Sequence, residues 1–230
     1  MTNTLHRFGK PENLKDDYIV FILTSKGAND VGALEKARDF LKAALKYDPV
    51  NLAGESSKGS LYRPEKHLNP FSLYVKGRKQ TVPPTHLMDE MEPPGRALAV
   101  FDNKQSLEGF LKELKEMDLG LSVNVSSLVE EVREMAPRTG VRPHSMNYAL
   151  GFRGKLHLLP DQYVLALTTM CGHGLIASNF AKKMIDTVKE GRSTPEKCAG
   201  YMAKFCTCGA FNTSRAVHIL NDARTSRSNV

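Results

Sequence analysis

The sequence contains no tryptophan and only four cysteines among 230 residues, and it has no apolar run long enough to cross a membrane. Its longest apolar runs, residues 18–23 and 163–167, fall far below the roughly 20 residues of a spanning helix. The first seven residues also lack the apolar core of a signal peptide, so we expect a cytoplasmic protein without a membrane partner. Thiols are kept reduced in that compartment. Four cysteines therefore favour metal binding or thiol chemistry over disulfide bridges.

The motifs of nucleotide-binding folds are also missing, because the chain has neither a P-loop nor a Gly-x-Gly-x-x-Gly after a strand. The formal net charge is +7, and residues 176–230 hold nine Lys/Arg against four Asp/Glu. These basic residues are spread along predicted helices and the chain has no tryptophan, which argues against nucleic acid as the partner. The positive charge fits a small anionic substrate or an anionic iron–sulfur cluster, and equally a solvated helix face.

The first part of the chain alternates strand and helix patterns, which predicts an α+β fold with an N-terminal strand–helix sandwich. The predicted strands and helices are, in order, strand 18–23, helix 34–45, strand 97–101, helix 106–117, strand 121–125, helix 127–135 and a strand near 145–152. Residues 50–95 hold six of the twelve prolines. We expect an irregular insertion there, with one short strand at 71–75.

The last part of the chain has helical patterns only, so we divide the sequence into a sandwich part (1–155) and a helical part (156–230). The first predicted helix begins at Pro160 and the second ends near Lys189. Thr194 followed by Pro195 is a typical helix start, and Asn212 or Ser214 is the expected cap of the final helix.

Three of the four cysteines form two tight clusters in this helical part, Cys171-Gly172-His173-Gly174 and Cys206-Thr207-Cys208-Gly209. Glycines let the backbone approach a ligand closely. Cys171 is predicted at the N-terminus of a helix, where a thiolate is stabilised. The two clusters are expected to converge on one site, with Cys171, Cys206 and Cys208 as metal ligands.

Three cysteine ligands would leave one iron of a [4Fe-4S] cluster without a protein ligand, and that iron could act as a Lewis acid. The sequence therefore favours an iron–sulfur protein of the lyase or hydratase type that acts on a small anionic substrate. Cys171 and His173 are its candidate catalytic residues. Its candidate substrate-binding residues are Gly172, Gly174, Lys204, Asn212 and Arg215. If His173 turned inward, a Cys3His zinc site would be equally possible.

Two alternatives without an iron–sulfur cluster stay open: a metal-free racemase or epimerase with two catalytic thiols, and a redox- or metal-responsive binding protein. The segment Thr169-Met170-Cys171-Gly172-His173-Gly174, with Ile176-Ala177 after it, resembles the catalytic-cysteine motif of the proline racemase family. The resemblance implies that Cys171 is one acid/base thiol and that Cys206 or Cys208 is the other. Backbone amides near Gly172 and Gly209 would then hold the substrate carboxylate. The match covers about nine residues and identifies no family for the whole chain.

Other polar and thiol residues are given structural roles. Cys198 shares a helical stripe with Met202 and is expected in the core. His144 is expected on a strand, with its side chain buried in a core and its hydrogen bonds satisfied there. Asp16 and Asp17 are interpreted as surface charge. The sequence predicts neither the oligomeric state nor the substrate.

Overall fold

A computed structural model describes residues 7–56, 59–60, 88–89, 91–206 and 208–226. Five strands form an antiparallel sheet in the order β3-β2-β4-β1-β5. Central strand β1 pairs on one side with β4, Ile19 opposite Val100, and on the other with β5, Ile19 opposite Ser126. The strands are β1 (Tyr18–Leu23), β2 (Asn51–Ser56), β3 (Gly59–Ser60), β4 (Ala97–Phe101) and β5 (Ser122–Ser126).

Helices occupy most of the remaining described residues, and a 3-10 turn at Leu156–Leu158 precedes the C-terminal group. In the N-terminal part they are α1 (Pro11–Leu14), α2 (Ala33–Leu45), α3 (Lys104–Met117) and α4 (Val129–Thr139). In the C-terminal part they are α5 (Gln162–Thr168), α6 (Ser178–Lys189), α7 (Pro195–Ala203) and α8 (Thr213–Thr225).

The strand connections follow the split β-α-β arrangement. Helix α2 carries the chain from β1 to β2, and α3 carries it from β4 to β5. Strand β4 lies between β1 and β2, and β1 lies between β4 and β5, so each helical crossover passes one strand of the other pair. Without the two-residue edge strand β3, the elements follow the β-α-β-β-α-β order of ferredoxin-like folds.

Both faces of the sheet are buried, which explains why β1 is a continuous apolar run instead of an alternating one. Tyr18, Val20 and Ile22 face a core shared with α2 and α3. Ile19 and Phe21 face the opposite core, which they share with α5 to α8. The C-terminal helices therefore cover one face of the sheet and α2 and α3 cover the other.

The α+β class is confirmed, with the strands N-terminal and the helices C-terminal. Two local expectations were wrong. Residues 51–56 form strand β2 instead of irregular chain, because Asn51 to Gly54 pair with β4. Residues 145–152 form no strand and are exposed, so His144 lies outside the core as well.

The predicted strand at 71–75 lies outside the described residues. The division at residue 155 stays a prediction. Among the described helices, none combines the length and the apolar character that crossing a membrane requires.

Candidate functional site

Three cysteine sulfurs from two loops meet in the C-terminal layer, as expected. The Sγ atoms of Cys206 and Cys208 are 3.7 Å apart. The Cys206 thiol also hydrogen-bonds to Cys171, which comes from the other loop. Cys206 therefore lies between the other two sulfurs. Cys171 and Cys206 are buried, and Cys208 is half-buried.

The loop that holds Cys171 lies past the C-terminal end of α5 and not at the start of the next helix. Helix α6 begins only at Ser178, seven positions later. The expected helix N-terminus was therefore wrong. Gly174 ends the preceding turn with a φ of 66°, in the left-handed region that favours glycine. The backbone N–H groups of His173 and Leu175 donate to the Cys171 sulfur and replace the helix terminus as thiolate donors.

The loop that holds Cys206 and Cys208 connects α7 to α8 and is fixed against the sheet. Gly209 has a φ of 71°, and a Cβ on it would stand 2.5 Å from the Ala53 side chain of β2. The side chain of Asn51 donates to the Phe211 carbonyl at 3.0 Å. The guanidinium of Arg7 donates to the Ala210 carbonyl. The loop is therefore held by residues from the start of the chain.

The three thiols have divergent pKa values because the Cys206 thiol hydrogen-bonds to both of its neighbours. These contacts lower the pKa of Cys171 to about 6 and that of Cys208 to about 5. The backbone N–H of Ala210 also donates to Cys208 and acts in the same direction. The pKa of Cys206 is raised by these two hydrogen bonds and by burial. The arrangement thus favours two thiolates that share one thiol.

His173 is the nearest imidazole to the cysteines and lies on their solvent side. Its side chain hydrogen-bonds to Cys208 and contributes to the lowered pKa of that thiol. The residue itself is exposed. His173 can therefore exchange a proton with Cys208 or turn toward a ligand without leaving a packed core.

Cys198 is separate from the other three cysteines, as the helical spacing predicts. It is fully buried on α7 in the core of the C-terminal layer. Burial raises the pKa of its thiol, so it stays protonated at neutral pH. This residue packs the core.

Two predicted substrate-binding residues, Asn212 and Arg215, lie in a buried polar network. Arg215 Nη1 is 2.9 Å from Asp17 Oδ2, and both side chains are fully buried. Asn212 Nδ2 donates to Asp17 Oδ1 at 3.1 Å, while its Oδ1 caps α8 by accepting from the backbone N–H of Arg215. Arg7 binds the same carboxylate at 2.7 Å. These contacts account for both residues as structural elements, and nothing in them supports substrate binding.

The network also corrects the interpretation of Asp17 as surface charge, since the carboxylate has three buried or nearly buried partners. The sequence carries no local signal for this network, because Asp17 and Arg215 are 198 positions apart.

The remaining candidate substrate-binding residues lie near the cysteine loops. Lys204 is half-buried, with Nζ 5.4 Å from the Tyr201 ring centroid. Gly172 and Gly174 flank His173.

A cavity of about 560 Å³ lies elsewhere, between the end of α2 and α3, and Tyr47, Lys112 and Glu113 help to line it. It is on the other side of the sheet from the cysteines.

Within the described residues, no group of three or more His, Cys, Asp or Glu side chains is arranged, as it stands, to hold a metal ion. Metal binding would therefore require side chains at the cysteine site to turn.

No protein-family model, no curated protein and no solved structure matches this chain.

Proposed function

We propose that Cys171, Cys206 and Cys208 bind a metal centre, and that this centre is an iron–sulfur cluster. The supporting observation is that three thiols from two distant loops lie in one contact group beside backbone N–H donors. Thiolates are the ligands of iron–sulfur clusters, and hydrogen bonds to the sulfurs tune such clusters. The side chains must turn outward, because each thiolate of a cluster binds a different iron.

The ligand count supports a [4Fe-4S] cluster with one open iron. The cluster offers four iron sites, and this group supplies three cysteines while Cys198 stays in the core. An open iron supplies Lewis-acid chemistry toward a hydroxyl or carboxylate oxygen. We therefore propose a non-redox reaction of the lyase or hydratase type on a small anionic substrate. His173, exposed beside Cys208, is the nearest side chain that could carry a proton for such a reaction.

A zinc ion is the second candidate, and the sulfur spacing favours it. Four ligands at about 2.3 Å around a tetrahedral ion stand about 3.8 Å apart. The Cys206 and Cys208 sulfurs are 3.7 Å apart, and His173 contacts Cys208. A Cys3His site would form if Cys171 and His173 turned toward the same point.

A metal-free reaction with two thiols is the third candidate. Cys171 and Cys208 flank Cys206, so two thiolates and a protonated thiol already lie side by side. In a racemisation, one thiolate would remove the α-proton of the substrate, and a protonated thiol on the opposite face would donate a proton to the resulting carbanion.

Anaerobic purification followed by measurement of iron, acid-labile sulfide and zinc distinguishes the three candidates. We expect about four irons and four sulfides per chain, and loss of both in the Cys206→Ser and Cys208→Ser proteins. The Cys198→Ser protein is the matched control, because it removes a buried thiol outside the contact group and should keep the metal.

Full iron in both Cys206→Ser and Cys208→Ser proteins would contradict the proposal. One zinc per chain without iron would establish the second candidate. A metal-free protein that exchanges the α-proton of an amino or hydroxy acid with deuterated solvent would establish the third.

A further inference from the structure

A long exposed segment between α4 and α5, residues 142–159, is called the arm below. Apart from a ring contact between Phe152 and Phe8, its apolar side chains are left largely uncovered by the described part of the chain. Every residue of the arm is exposed. Tyr148 is 53% exposed and Leu150 is 78% exposed, while Leu158 reaches 70%. Exposed apolar residues that occur singly are ordinary, but a contiguous set marks an interaction surface.

The first half of the arm has the pattern of a β-strand without a strand to pair with. Met146, Tyr148, Leu150 and Phe152 alternate with Ser, Asn, Ala and Gly. Among the described residues, none of the backbone groups of residues 142–153 pairs with another backbone group. Through its unpaired backbone N–H and C=O groups and its apolar face, such a segment can add as a strand to the edge of a sheet.

The same chain has a free sheet edge with the matching pattern. Strand β5 is the last in the sheet order and pairs only with β1 among the described strands. Its sequence, Ser-Val-Asn-Val-Ser, alternates as the arm does, and Val123 is 36% exposed. An added strand can therefore place apolar side chains beside Val123 and Val125 and polar ones on the opposite face.

The charges of the two elements are complementary. The arm contains Arg142, Arg153 and Lys155, and residues 136–160 include no Asp or Glu. The residues that flank β5 include Asp118 and Glu130, both exposed. Two arms would repel each other, whereas an arm and a β5 edge attract.

We propose that the arm of one copy of this chain adds as a strand to β5 of a second copy, so that two reciprocal additions form a symmetric dimer. In a two-fold dimer each copy contributes the same pair of surfaces, one arm and one edge. Insertion into a membrane fits the arm less well, because backbone N–H and C=O groups without partners stay unsatisfied in lipid. This dimer does not depend on the metal centre.

The test is the oligomeric state of the full chain, measured by light scattering and sedimentation across a concentration series. We expect a dimer for the unmodified protein, and a dissociation constant raised on the order of tenfold or more by Tyr148→Asp combined with Leu150→Asp. Val123→Lys should act in the same direction, since it places a positive charge on the edge that the basic arm must meet.

Tyr201→Asp is the matched control, because it makes the same substitution at a tyrosine that is 46% exposed on α7. It should leave the dimer intact, and circular dichroism should show that all variants are folded. A photo-cross-linker at Leu150 should attach to residues of β5 in the other copy. A monomeric unmodified protein overturns the proposal, whether or not it binds anionic vesicles. A dimer that survives the arm substitutions, or a cross-link that avoids β5, overturns it as well.

Discussion

Arg215 on the last helix and Asp17 just before the first strand form a fully buried ion pair with a nitrogen–oxygen distance of 2.9 Å. The other donors of Arg215 are also used, since Nε and Nη2 donate to the carbonyls of Asn13 and Phe8. A buried charge with this many partners stabilises a fold only while all of the partners remain. The pair therefore joins the first and last elements of the chain.

Removal of Arg215 should destabilise the protein strongly. In Arg215→Met the Asp17 carboxylate keeps Arg7 and Asn212 but loses its fully buried cation, and breaking a buried pair costs about 3–5 kcal/mol. Urea unfolding followed by circular dichroism measures the change in the free energy of unfolding. Arg138→Met is the control, because Arg138 pairs with Glu134 and Glu108 at the surface, where ion pairs contribute little. Equal losses of unfolding free energy in the two variants would show that the buried ion pair stabilises the fold no more than a surface ion pair does.

Gly209→Ala should disturb the cysteine loop more than an equivalent change elsewhere. Gly209 and Gly191 both have φ near 70°, so an alanine at either position meets the same backbone strain, about 1–2 kcal/mol. Only at Gly209 would the added Cβ also meet β2, 2.5 Å from the Ala53 side chain, whereas Gly191 faces open space.

We therefore expect a larger loss of unfolding free energy for Gly209→Ala than for Gly191→Ala, and a shift in the titration of Cys208 in Gly209→Ala alone. Thermal unfolding and thiol titration measure the two effects. Equal stability of the two variants would mean that β2 shifts to make room for the added Cβ without a cost in unfolding free energy.

The metal-free protein should form two thiolates at an unusually low pH. Ordinary thiols ionise near pH 8.5, but the pKa values of about 6 for Cys171 and about 5 for Cys208 predict that their thiolates appear as the pH rises through that range. The ultraviolet absorbance of thiolates follows this titration.

Cys206→Ala should change this titration and Cys198→Ala should not. Alanine at position 206 removes the side-chain hydrogen bond that lowers the pKa values of Cys171 and Cys208, so both pKa values should rise. Burial raises the pKa of Cys198, so its removal takes no thiolate from the acidic range. An unchanged curve in Cys206→Ala would show that backbone donors alone stabilise the thiolates.

The exposed Leu150 side chain of the arm should contribute almost nothing to the stability of the single chain, in contrast to an aromatic residue in the core. Phe110 contacts Phe40 and Phe101 with ring centroids 5.1 Å and 5.2 Å apart, and Phe110→Ala should cost about 3–5 kcal/mol. Leu150→Ser, at a side chain that is 78% exposed, should leave the free energy of unfolding unchanged at protein concentrations that favour the monomer. A large loss in Leu150→Ser would mean that the arm packs onto its own chain.

Local patterns predicted much of this fold because local chemistry determines it. The apolar run of β1 gave a buried strand, and Thr194 and Asn212 cap the helices that their positions predict. Convergence of the two cysteine clusters was expected because each was predicted to precede a helix, and the three thiols do contact one another. The class of fold and the core of the site were therefore readable from neighbouring residues.

The errors arose where distant residues decide the structure. Strand β2 was assigned to an irregular segment because its pairing with β4 spans the proline-rich stretch. The alternating arm was predicted as a strand, but it finds no strand to pair with in the described part of its own chain. Asp17 was placed at the surface because its burial depends on an arginine near the other end of the sequence. A local sequence pattern shows which segments can form a strand. It does not show whether the fold brings another strand close enough to pair with them.

The anchoring of the cysteine loop has a consequence for the order in which the protein is made. Cys206 and Cys208 are positioned by Arg7 and Asn51, which are translated well before them, and by α8, which is translated after them. Contacts between such distant segments cannot form until α8 has left the ribosome. A nascent chain that ends before α8 carries the thiols without their geometry, so any cofactor that requires all three can be inserted only after α8 has emerged.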